Sequence, residues 1–272
     1  MSKDVVVITG ACGGMGRACV ATFAPRARIV AVDIDSERVA ALVQELQSAG
    51  HDVIGACHDI AAADVPAALA QLAAGSGRPA ALVHTAGLSS AMGDPARIMD
   101  VNLIATQRLA DAFLDIATPG FSAVMVASIS GHLYQPESAA MNLLSAPLAT
   151  DFSRLVAPFC PDSVAAYGLS KWGVIALCER EAARWGRKGA RINSLSPGVI
   201  DTPMGRLEIT APHGAQIENL LRICPAGRWG TPADIAGAAA YLCSAAASFV
   251  TGIDLRVDGG TTATLKQGRA RP

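Results

Sequence analysis

The sequence predicts a single α/β domain, spanning residues 1–272, in which helices cover both faces of a parallel sheet. Its length of 272 residues and its hydrophobic content of 51% are enough for one sizeable core. Short β-branched runs alternate with Ala-rich helical stretches along the chain, which is typical of a doubly wound fold. These runs are apolar at consecutive positions, as expected of strands that are buried on both faces. In such folds ligands bind at the carboxyl ends of the strands.

The alternation predicts seven strands and six main helices. The strands are Val5–Thr9, Ile29–Asp33, Val53–Cys57, Ala81–Thr85, Ala123–Ala127, Arg191–Leu195 and Ile253–Val257. The helices lie near residues 15–24, 36–48, 64–74, 95–117, 164–185 and 232–246. Because a helix lies between each strand and the next, we expect all seven strands to run parallel in one sheet.

One region, residues 132–162, interrupts this alternation. It contains no strand-like run and carries four prolines, at positions 136, 147, 158 and 161. Apolar residues between them, such as Leu144, Phe152 and Val156, indicate one or two short helices bounded by prolines. Because the region follows the fifth strand, we expect this insert near the ligand-binding edge of the sheet.

Charge and hydropathy argue against several classes of function. The formal net charge is −1, from 22 basic and 23 acidic residues, so nothing indicates a nucleic-acid partner. The longest uncharged stretch, Ile235–Ile253, consists mostly of Ala, Gly, Ser and Thr, which favours a buried helix and turn over a membrane span. No leader with a cleavage site is apparent and the seven cysteines form no CxxC pair, so we expect a cytoplasmic protein with reduced thiols. The five histidines show no metal-binding spacing, which argues against a zinc site.

A glycine-rich turn follows the first strand. Gly10, Gly14 and Gly16 have the spacing TGxxxGxG, a variant of the dinucleotide-binding fingerprint. Gly10 allows a sharp turn, Gly14 allows the backbone to approach a pyrophosphate, and Gly16 allows a helix to pack closely on the sheet. Cys12 lies near the start of that helix, where a thiol pKa can fall. We therefore consider a redox switch at Cys12 beside the simpler interpretation of a small passive residue.

An acidic residue at the end of the second strand favours NAD over NADP. Asp33 can accept hydrogen bonds from the adenosine ribose hydroxyls and would repel a 2′-phosphate. No Arg or Lys stands beside it, since Ile34 and Asp35 follow and the glycine turn carries neither. The alternative role of Asp33, capping the next helix, is better filled by Ser36.

Tyr167 and Lys171 lie four residues apart, so they share one face of the predicted helix. A tyrosine with its usual pKa of about 10 is a poor base at neutral pH. A nearby ammonium favours the phenolate, so we expect Lys171 to lower the pKa of Tyr167. The other two tyrosines, Tyr134 and Tyr241, have no cation four residues later.

These motifs together resemble the classical short-chain dehydrogenase/reductase family, whose fold is a Rossmann domain. The resemblance covers nearly the whole chain, and the motifs occur in the family's order. They are the glycine turn, Asn102 in Val-Asn-Leu, Ser128 in Ser-Ile-Ser-Gly, Tyr167 with Lys171, Pro197 to Thr202, and Asp254 to Gly260. Some bacterial 3-alpha-hydroxysteroid dehydrogenase/carbonyl reductase relatives are similar in carrying an insert before the catalytic Tyr helix.

The resemblance implies four catalytic residues. Tyr167 would be the general acid/base, and Lys171 would tune it and hold the nicotinamide ribose. Ser128 would hydrogen-bond the substrate oxygen, and Asn102 would hold a water in a proton relay. Ser130 is the alternative to Ser128, which we prefer because Gly131 completes the family's Ser-x-x-Gly pattern. Asn102 also suits a structural role that coexists with the relay.

The resemblance also implies cofactor contacts beyond the glycines and Asp33. Asp59 and Ile60 match the adenine position, and Ile200 and Thr202 match the contacts to the nicotinamide amide. The full set of further cofactor-binding residues is Cys12, Met15, Ile34, Asp59, Ile60, Thr85, Ala86, Gly87, Tyr167, Lys171, Pro197, Gly198, Ile200, Thr202 and Met204.

The chain departs from the family pattern in two places. His84-Thr85-Ala86-Gly87 stands where the family usually has Asn-Asn-Ala-Gly, so sheet stabilisation there must differ. Ser128 and Tyr167 are also unusually far apart because of the insert. The insert suits either a substrate lid or an interface between subunits, and an amphipathic stripe is more often packing, which favours the interface.

Asp201 to Arg222 resembles the family's substrate loop and offers apolar residues and few charges, Arg206 and Arg222 among them. We therefore predict an NAD-dependent enzyme that interconverts a secondary alcohol and a ketone, with an apolar alicyclic or steroid-like substrate. Family members suggest a homodimer or homotetramer. The alternatives are an epimerase or dehydratase on the same fold and a non-catalytic NAD sensor.

Overall fold

Seven parallel strands form one sheet in the computed structural model, which describes residues 3–269. The order across the sheet is β3-β2-β1-β4-β5-β6-β7, so the fold class predicted from the sequence is confirmed. The strands are β1 (Asp4–Thr9), β2 (Arg28–Asp33), β3 (Val53–Cys57), β4 (Arg78–His84), β5 (Ser122–Val126), β6 (Arg191–Pro197) and β7 (Asp254–Val257).

Thirteen α-helices connect and flank these strands within residues 3–269. They are α1 (Gly14–Phe23), α2 (Ser36–Ser48), α3 (Val65–Ser76), α4 (Pro95–Met99), α5 (Ala105–Ile116), α6 (Ile129–Leu133), α7 (Ser138–Leu144), α8 (Phe152–Val156), α9 (Ser163–Gly186), α10 (Pro203–Thr210), α11 (Gly214–Arg222), α12 (Pro232–Cys243) and α13 (Thr261–Arg269). A π-helical turn, Asp100–Ile104, joins α4 to α5, and 3-10 turns occupy Ala157–Phe159 and Ala245–Ala247.

Three sequence-based expectations about the elements were wrong. The helix predicted over 95–117 is divided by the π-helical turn. The segment treated as a substrate loop contains α10 and α11. Helix α2 is capped by Asp35 rather than Ser36, because the Asp35 carboxylate accepts hydrogen bonds from the Glu37 and Arg38 amides and Ser36 is the first helical residue.

Two buried clusters lie on the two faces of the sheet. In β1, Val5 and Val7 contact one cluster while Val6 and Ile8 contact the other, as the two-residue period of a strand requires. The first cluster includes α3, α5 and α9, and the second includes α1, α2 and α12. The continuous apolar runs of the sequence therefore supply both layers at once.

The insert packs into the first of these clusters. Ala140 and Leu144 of α7 are buried there together with Phe152 and Val156 of α8. The apolar residues that predicted short helices in this region therefore contribute to the core. No described helix is long and apolar enough to cross a membrane.

The turn between β1 and α1 has room only for glycine at two positions. Gly10 has a φ of +67°, a left-handed conformation that strongly favours glycine. A Cβ atom on Gly16 would overlap the carbonyl oxygen of Gly10 and lie 2.8 Å from Oγ1 of Thr85. The close approach of α1 to the end of β1 therefore depends on the missing side chain of Gly16.

We predict that Gly16→Ala destabilises the fold by about 1–3 kcal/mol, because the helix must move away from the strand. The matched control is Gly237→Ala in α12, where a Cβ meets nothing within 4 Å. That change should be neutral or stabilising by up to about 1 kcal/mol, because it removes glycine from a helix interior. Thermal denaturation of both variants is the measurement, and equal melting temperatures would contradict the packing argument.

Candidate active site

A long cleft lies at the carboxyl ends of β1, β2 and β4, where the topology places ligands. Its volume is about 420 Å³. The lining comes from the glycine turn, the segments that follow β2, β3 and β4, the helical residues Arg97 and Val101, and the start of α10. The lining residues are Gly10, Gly13, Gly14, Met15, Gly16, Asp33, Ile34, Arg38, His58, Asp59, Ile60, Thr85, Ala86, Gly87, Leu88, Met92, Arg97, Val101, Thr202, Pro203, Met204 and Leu207.

The N-terminus of α1 forms the middle of this cleft. Gly13 occupies the cap position without a capping side chain, so the first amides of the helix have no side-chain partner. A Cβ on Gly14 would lie 2.6 Å from Cγ2 of Thr202, so a larger residue would push against the opposite wall. The free amides and the helix dipole make this a suitable position for a pyrophosphate.

Asp33 is fixed at the end of β2 by two backbone amides. Cys12 donates to Oδ2 and Ile34 donates to Oδ1, each at 2.9 Å. A carboxylate has about four acceptor positions, so Asp33 keeps capacity for two more donors. Arg38 of α2 also lines the cleft, and its guanidinium donates to the carbonyl oxygen of Cys12.

Cys12 does not line the cleft, although the sequence included it among the cofactor contacts. Burial, followed by the charge of Asp33, raises the pKa of Cys12 to about 11. The thiol is therefore protonated at neutral pH, which removes the basis of the redox-switch hypothesis. The expected effect of the helix N-terminus is outweighed by burial and by the neighbouring carboxylate.

Asp59 lines the cleft at the position where the sequence predicts adenine contacts, and it is held from two sides. Arg97 donates to its Oδ2 at 2.6 Å and the Ala61 amide donates to its Oδ1 at 3.0 Å. Although burial opposes it, these contacts lower the pKa of Asp59. Arg97, which also pairs with Asp100, therefore shapes this end of the cleft.

A second, smaller cavity of about 130 Å³ adjoins the cleft. The two share Met15, Thr85, Gly87, Leu88, Thr202 and Met204. The remaining lining residues are Ser89, Val126, Ala127, Ser128, Ile129, Ser130, Tyr167, Lys171, Pro197, Gly198, Val199, Ile200, Gly205, Glu208, Ile217 and Leu220. No residue of the insert lines it, so the insert is not a lid on this cavity.

Lys171 of α9 places an ammonium group inside this cavity. The residue is 6% exposed, and its Nζ donates to the carbonyl oxygen of Val126 at 3.0 Å. Burial lowers its pKa to about 8. Nζ lies 5.8 Å from the centre of the Tyr167 ring, so the two side chains predicted to share a helix face do so.

The pKa of Tyr167 is raised to about 12, not lowered as the sequence suggested. Burial is the main cause, Glu208 adds to it, and a hydrogen bond with Ser128 acts in the opposite direction. The expectation was wrong because burial disfavours the phenolate more strongly than its neighbours favour it. Tyr167 is therefore a protonated donor at neutral pH in this structure.

Ser128 follows β5 and caps α6. Its hydroxyl oxygen accepts a hydrogen bond from the Ser130 amide at 3.1 Å. Because Ser128 lowers the pKa of Tyr167 and Ser130 has no such effect, the structure favours Ser128 as the partner of the phenol. Ser130 lines the same cavity, as its position in the sequence suggested.

Asn102 lies in the π-helical turn and is fully buried. Its Oδ1 accepts from the Leu88 amide at 2.8 Å, and its Nδ2 donates to the Leu88 carbonyl at 2.9 Å. Nδ2 also donates to Oγ of Ser170 at 3.3 Å. Asn102 therefore clamps the loop after β4 onto α9 and lines neither cavity. π-Helical turns occur frequently at functional sites.

His84, one of the departures from the family pattern, joins β1 to the helix after Asn102. Its Nδ1 lies 2.6 Å from Oγ1 of Thr9, and its Nε2 lies 2.9 Å from Oγ1 of Thr106. Thr106 uses its single hydroxyl proton to donate to the Asn102 carbonyl at 2.7 Å. Therefore Nε2 of His84 must donate to Thr106, and Nδ1 accepts from Thr9.

The ring of His84 is neutral as well as enclosed. Burial, with a contribution from Lys171, lowers its pKa to about 3. Beside it, Thr85 donates from Oγ1 to the Thr9 carbonyl at 2.7 Å. His84 and Thr85 thus replace the missing amides with a different set of hydrogen bonds between β1 and β4.

Comparison with known proteins now identifies the family. A family model described as "short chain dehydrogenase" matches residues 4–141, and one described as "Enoyl-(Acyl carrier protein) reductase" matches residues 152–262. D-threitol dehydrogenase from Mycolicibacterium smegmatis is 32% identical over 96% of this chain and 94% of its own. The chain belongs to the short-chain dehydrogenase/reductase family. It is therefore an oxidoreductase that acts on alcohol or ketone substrates.

Two further similarities concern hydroxysteroid dehydrogenases of this family. The 3-alpha-hydroxysteroid dehydrogenase/carbonyl reductase of Comamonas testosteroni is 30% identical over 84% of this chain and 93% of its own. The crystal structure of the 3-alpha-hydroxysteroid dehydrogenase from Pseudomonas sp. B-0831, complexed with NADH, has a TM-score of 0.80 and 26% identity. That comparison covers 97% of this chain and 98% of the other.

The structure brings most predicted site residues of this dehydrogenase/reductase to the two cavities. The exceptions are Cys12 and Asn102, which lie behind the walls. Five polar residues of the lining were missed: Arg38, His58, Arg97, Ser89 and Glu208. Of these residues, Arg38 could have been identified from the sequence, because it lies in the first turn of the helix that follows Asp33.

The segment that contains α10 and α11 is fastened to the loop after β4. Glu208 of α10 accepts from the Ala91 amide and lies 3.2 Å from Oγ of Ser90 and 2.7 Å from Nε2 of His213. Of the charged residues noted in this segment, Arg206 is exposed and paired with Asp201. Met204 and Ile217 of this segment line the smaller cavity, which contains Tyr167 and Ser128.

We predict that the neutrality of His84 makes the enzyme sensitive to acid. Below the unfolded pKa of 6.5 the unfolded chain binds a proton that the native ring does not bind until about pH 3. The stabilisation is therefore complete above pH 6.5 and is lost as the pH falls towards 3, by about 1.4 kcal/mol per pH unit. His84→Asn and His84→Gln lack this titration.

Urea unfolding at pH 7 and at pH 5 tests this prediction. Between these values the wild type should lose about 2 kcal/mol more of its free energy of unfolding than either variant does. The comparison uses the slope with pH, so a lower starting stability of the variants does not matter. Parallel curves for all three proteins would show that His84 titrates normally in the native state.

Proposed function

We propose that this enzyme interconverts a secondary alcohol and a ketone with NAD(H), using Tyr167 as its general acid/base. The observation that carries the proposal is the meeting of the Tyr167 phenol, the Ser128 hydroxyl and the Lys171 ammonium in one cavity. This cavity shares one wall with the cleft that suits a dinucleotide. A carbonyl oxygen placed there would meet a proton donor and a hydrogen-bond donor together.

The nicotinamide group would supply the hydride, and the chain's residues would handle the proton. Since the pKa of Tyr167 is about 12, the phenol holds its proton and can donate it to a substrate carbonyl oxygen. Ser128 would donate to the same oxygen and stabilise developing charge. Lys171 places a positive charge in the same cavity as Tyr167 and Ser128, and it would hold the nicotinamide ribose.

Asn102 is proposed to support the return of the proton to Tyr167 through a water. Its Oδ1 accepts one hydrogen bond, from the Leu88 amide, so it keeps one lone pair. A Cβ on Gly87 would lie 3.1 Å from Oδ1 of Asn102 and 3.4 Å from Nζ of Lys171. Asn102 and Lys171 therefore face each other across Gly87, which is a suitable place for a relay.

The proposed substrate is an apolar alicyclic alcohol or ketone. Supporting this, the cavity wall includes Leu88, Ile129, Val199, Ile217 and Leu220, and Lys171 is the only cation in its lining. A volume of about 130 Å³ is below the roughly 300 Å³ of most pockets for drug-sized ligands. The present position of α10 and α11 thus favours a substrate of one ring, and a steroid would require this segment to move outwards.

NAD is proposed as the cofactor because Asp33 faces the ribose end of the cleft. Its remaining acceptor positions suit the two hydroxyl groups of an adenosine ribose, and its charge opposes a phosphate. Arg38 is the one feature that favours NADP, but its guanidinium is turned towards the Cys12 carbonyl. The preference for NAD over NADP therefore depends on Asp33.

We further propose a homodimer or homotetramer in the cytoplasm. Phe249 is fully exposed and Tyr241 and Ile253 are partly exposed, all near the β7 edge of the sheet. Such apolar side chains are more stable in contact with a second subunit. All seven cysteines are free, which suits a reducing compartment.

We expect Tyr167→Phe to lower kcat by about 100-fold to 10,000-fold, because the variant lacks the transferable proton. The assay is turnover of a panel of ketones and alcohols, from one ring to steroid size, with NAD(H) and NADP(H). The matched control is Tyr134→Phe, which packs against Gly168 of the same helix and lines neither cavity. It should keep nearly full activity.

Three outcomes of this assay would contradict the proposal. Tyr167→Phe with wild-type turnover would exclude the acid/base role. A product of unchanged oxidation state, identified by mass spectrometry, would indicate an epimerase or dehydratase. Tight NADH binding without turnover of any substrate would indicate a sensor.

We expect Asp33→Asn to reduce the preference for NAD over NADP by about tenfold or more, since the charge that repels a phosphate is gone. Asp35→Asn is the control, because it removes the same charge two residues away and asparagine still caps a helix. The ratio of kcat/KM for the two cofactors is the measurement. Equal ratios in the wild type and Asp33→Asn would assign the preference to another residue.

A further inference from the structure

Two polar groups that the mechanism does not use lie in the wall of the catalytic cavity. Ser89 lies in the loop after β4, and Glu208 belongs to α10 on the opposite side. Both line the cavity that contains Tyr167 and Ser128. The rest of this wall, away from the catalytic groups, is mainly apolar, so two such residues require an explanation.

Ser89 is a buried hydroxyl without a partner. The residue is 2% exposed, and its Oγ makes no hydrogen bond of normal geometry. A buried polar group in this condition costs free energy unless a ligand or water satisfies it. Ser89 lines the catalytic cavity, and a contact between its enclosed Oγ and a substrate atom there requires a rotation of the side chain about Cα–Cβ.

Glu208 keeps unused acceptor capacity in spite of its contacts. Its carboxylate receives donors from Ser90, from His213 and from the Ala91 amide. Ser90 has one hydroxyl proton, and Nε2 of His213 has at most one, so at most three protons reach the carboxylate. A carboxylate has about four acceptor positions, which leaves one for a further donor.

Glu208 is ionised. Burial alone would raise its pKa, but the nearby Ser89 hydroxyl, which makes no hydrogen bond of normal geometry, together with His213 and the Ala91 amide outweighs burial and holds the pKa below its ordinary value. The charge also reaches the catalytic group, since Glu208 contributes to the raised pKa of Tyr167. A negative charge at this position disfavours a substrate with an anionic group near the reacting carbon.

We propose that the substrate carries a second hydroxyl group, which donates a hydrogen bond to Glu208 and accepts one from Ser89. This inference rests on the proposed function and narrows it to diols and hydroxyketones. The reacting oxygen lies between Tyr167 and Ser128, and the second oxygen lies at the wall formed by α10. A hydroxyl group fits because it has one proton for Glu208 and lone pairs for the unpaired Ser89.

A substrate ammonium group is a weaker match for the same pair. It would meet the carboxylate of Glu208, but it would enter a cavity that already holds the ammonium of Lys171. Like charges in a buried cavity repel each other strongly. It also offers no lone pair to the Ser89 hydroxyl.

The test compares cyclohexanol with the isomeric cyclohexanediols and with an aminocyclohexanol, in wild type, Glu208→Gln, Ser89→Ala and Ser90→Ala. The ratio of kcat/KM for the best diol to that for cyclohexanol should be about 100-fold or more in the wild type. Glu208→Gln and Ser89→Ala should each lower this ratio by about tenfold or more. Ser89→Ala keeps the test valid if Glu208→Gln folds poorly.

Ser90→Ala separates recognition from loop positioning. Ser90 touches Glu208 but does not line the catalytic cavity, so the variant weakens the fastening of α10 and leaves Glu208 and Ser89 in place. It should retain the wild-type ratio. An equal loss of the ratio in Ser90→Ala would show that Glu208 acts by holding the segment, which overturns the inference.

Other results overturn the inference in distinguishable ways. Equal turnover of cyclohexanol and every diol by the wild type would exclude a second hydroxyl contact while leaving the proposed function intact. A preference for the aminocyclohexanol, lost in Glu208→Gln, would assign Glu208 to a cation. If no alcohol or ketone reacts at all, cyclohexanol included, the proposed function itself is wrong.

Discussion

A chain of hydrogen bonds through the neutral ring of His84 connects the end of β1 to α5 and to the π-helical turn before it. It begins at Thr9, at the end of the strand that carries the glycine turn, and ends at the carbonyl of Asn102. The direction of each bond follows from the single proton of Thr106. Because Asn102 in turn clamps the loop after β4, whose residues line both the long cleft and the smaller cavity, the two keep a fixed relative position.

The second constraint is the burial of an ammonium group close to this chain of hydrogen bonds. The pKa of Lys171 falls from 10.5 to about 8 on burial, which corresponds to a cost of about 3 kcal/mol at neutral pH. Since the folded pKa is depressed, this cost is present below pH 8 and disappears as the pH rises towards 10.5. The same positive charge disfavours protonation of His84, so the buried Lys171 ammonium and the neutral ring are compatible with each other.

The sequence predicted the parts of the molecule that depend on local pattern. The limits of β3 and α2 agree with the structure, and α9 differs by one residue at each end, because apolar runs and the Tyr167–Lys171 spacing are local features. The π-helical turn, the raised pKa of Tyr167 and the polar wall of Ser89 and Glu208 were not predicted. The raised pKa and the polar wall arise from contacts between segments far apart in sequence, which residue spacing does not encode.

The insert, residues 132–162, and the segment that contains α10 and α11 have different structural roles, which the sequence left open. Phe152 and Val156 of the insert are buried in the core, and the insert does not line the catalytic cavity. Helix α10 lines it through Met204 and Glu208 and is fastened to the loop after β4. That loop is the one that Asn102 clamps, so the wall facing the substrate and the catalytic residues are supported through the same few hydrogen bonds. Selection of the substrate and alignment of Tyr167 therefore depend on one connected structure, and the insert contributes by stabilising the layer that contains α9.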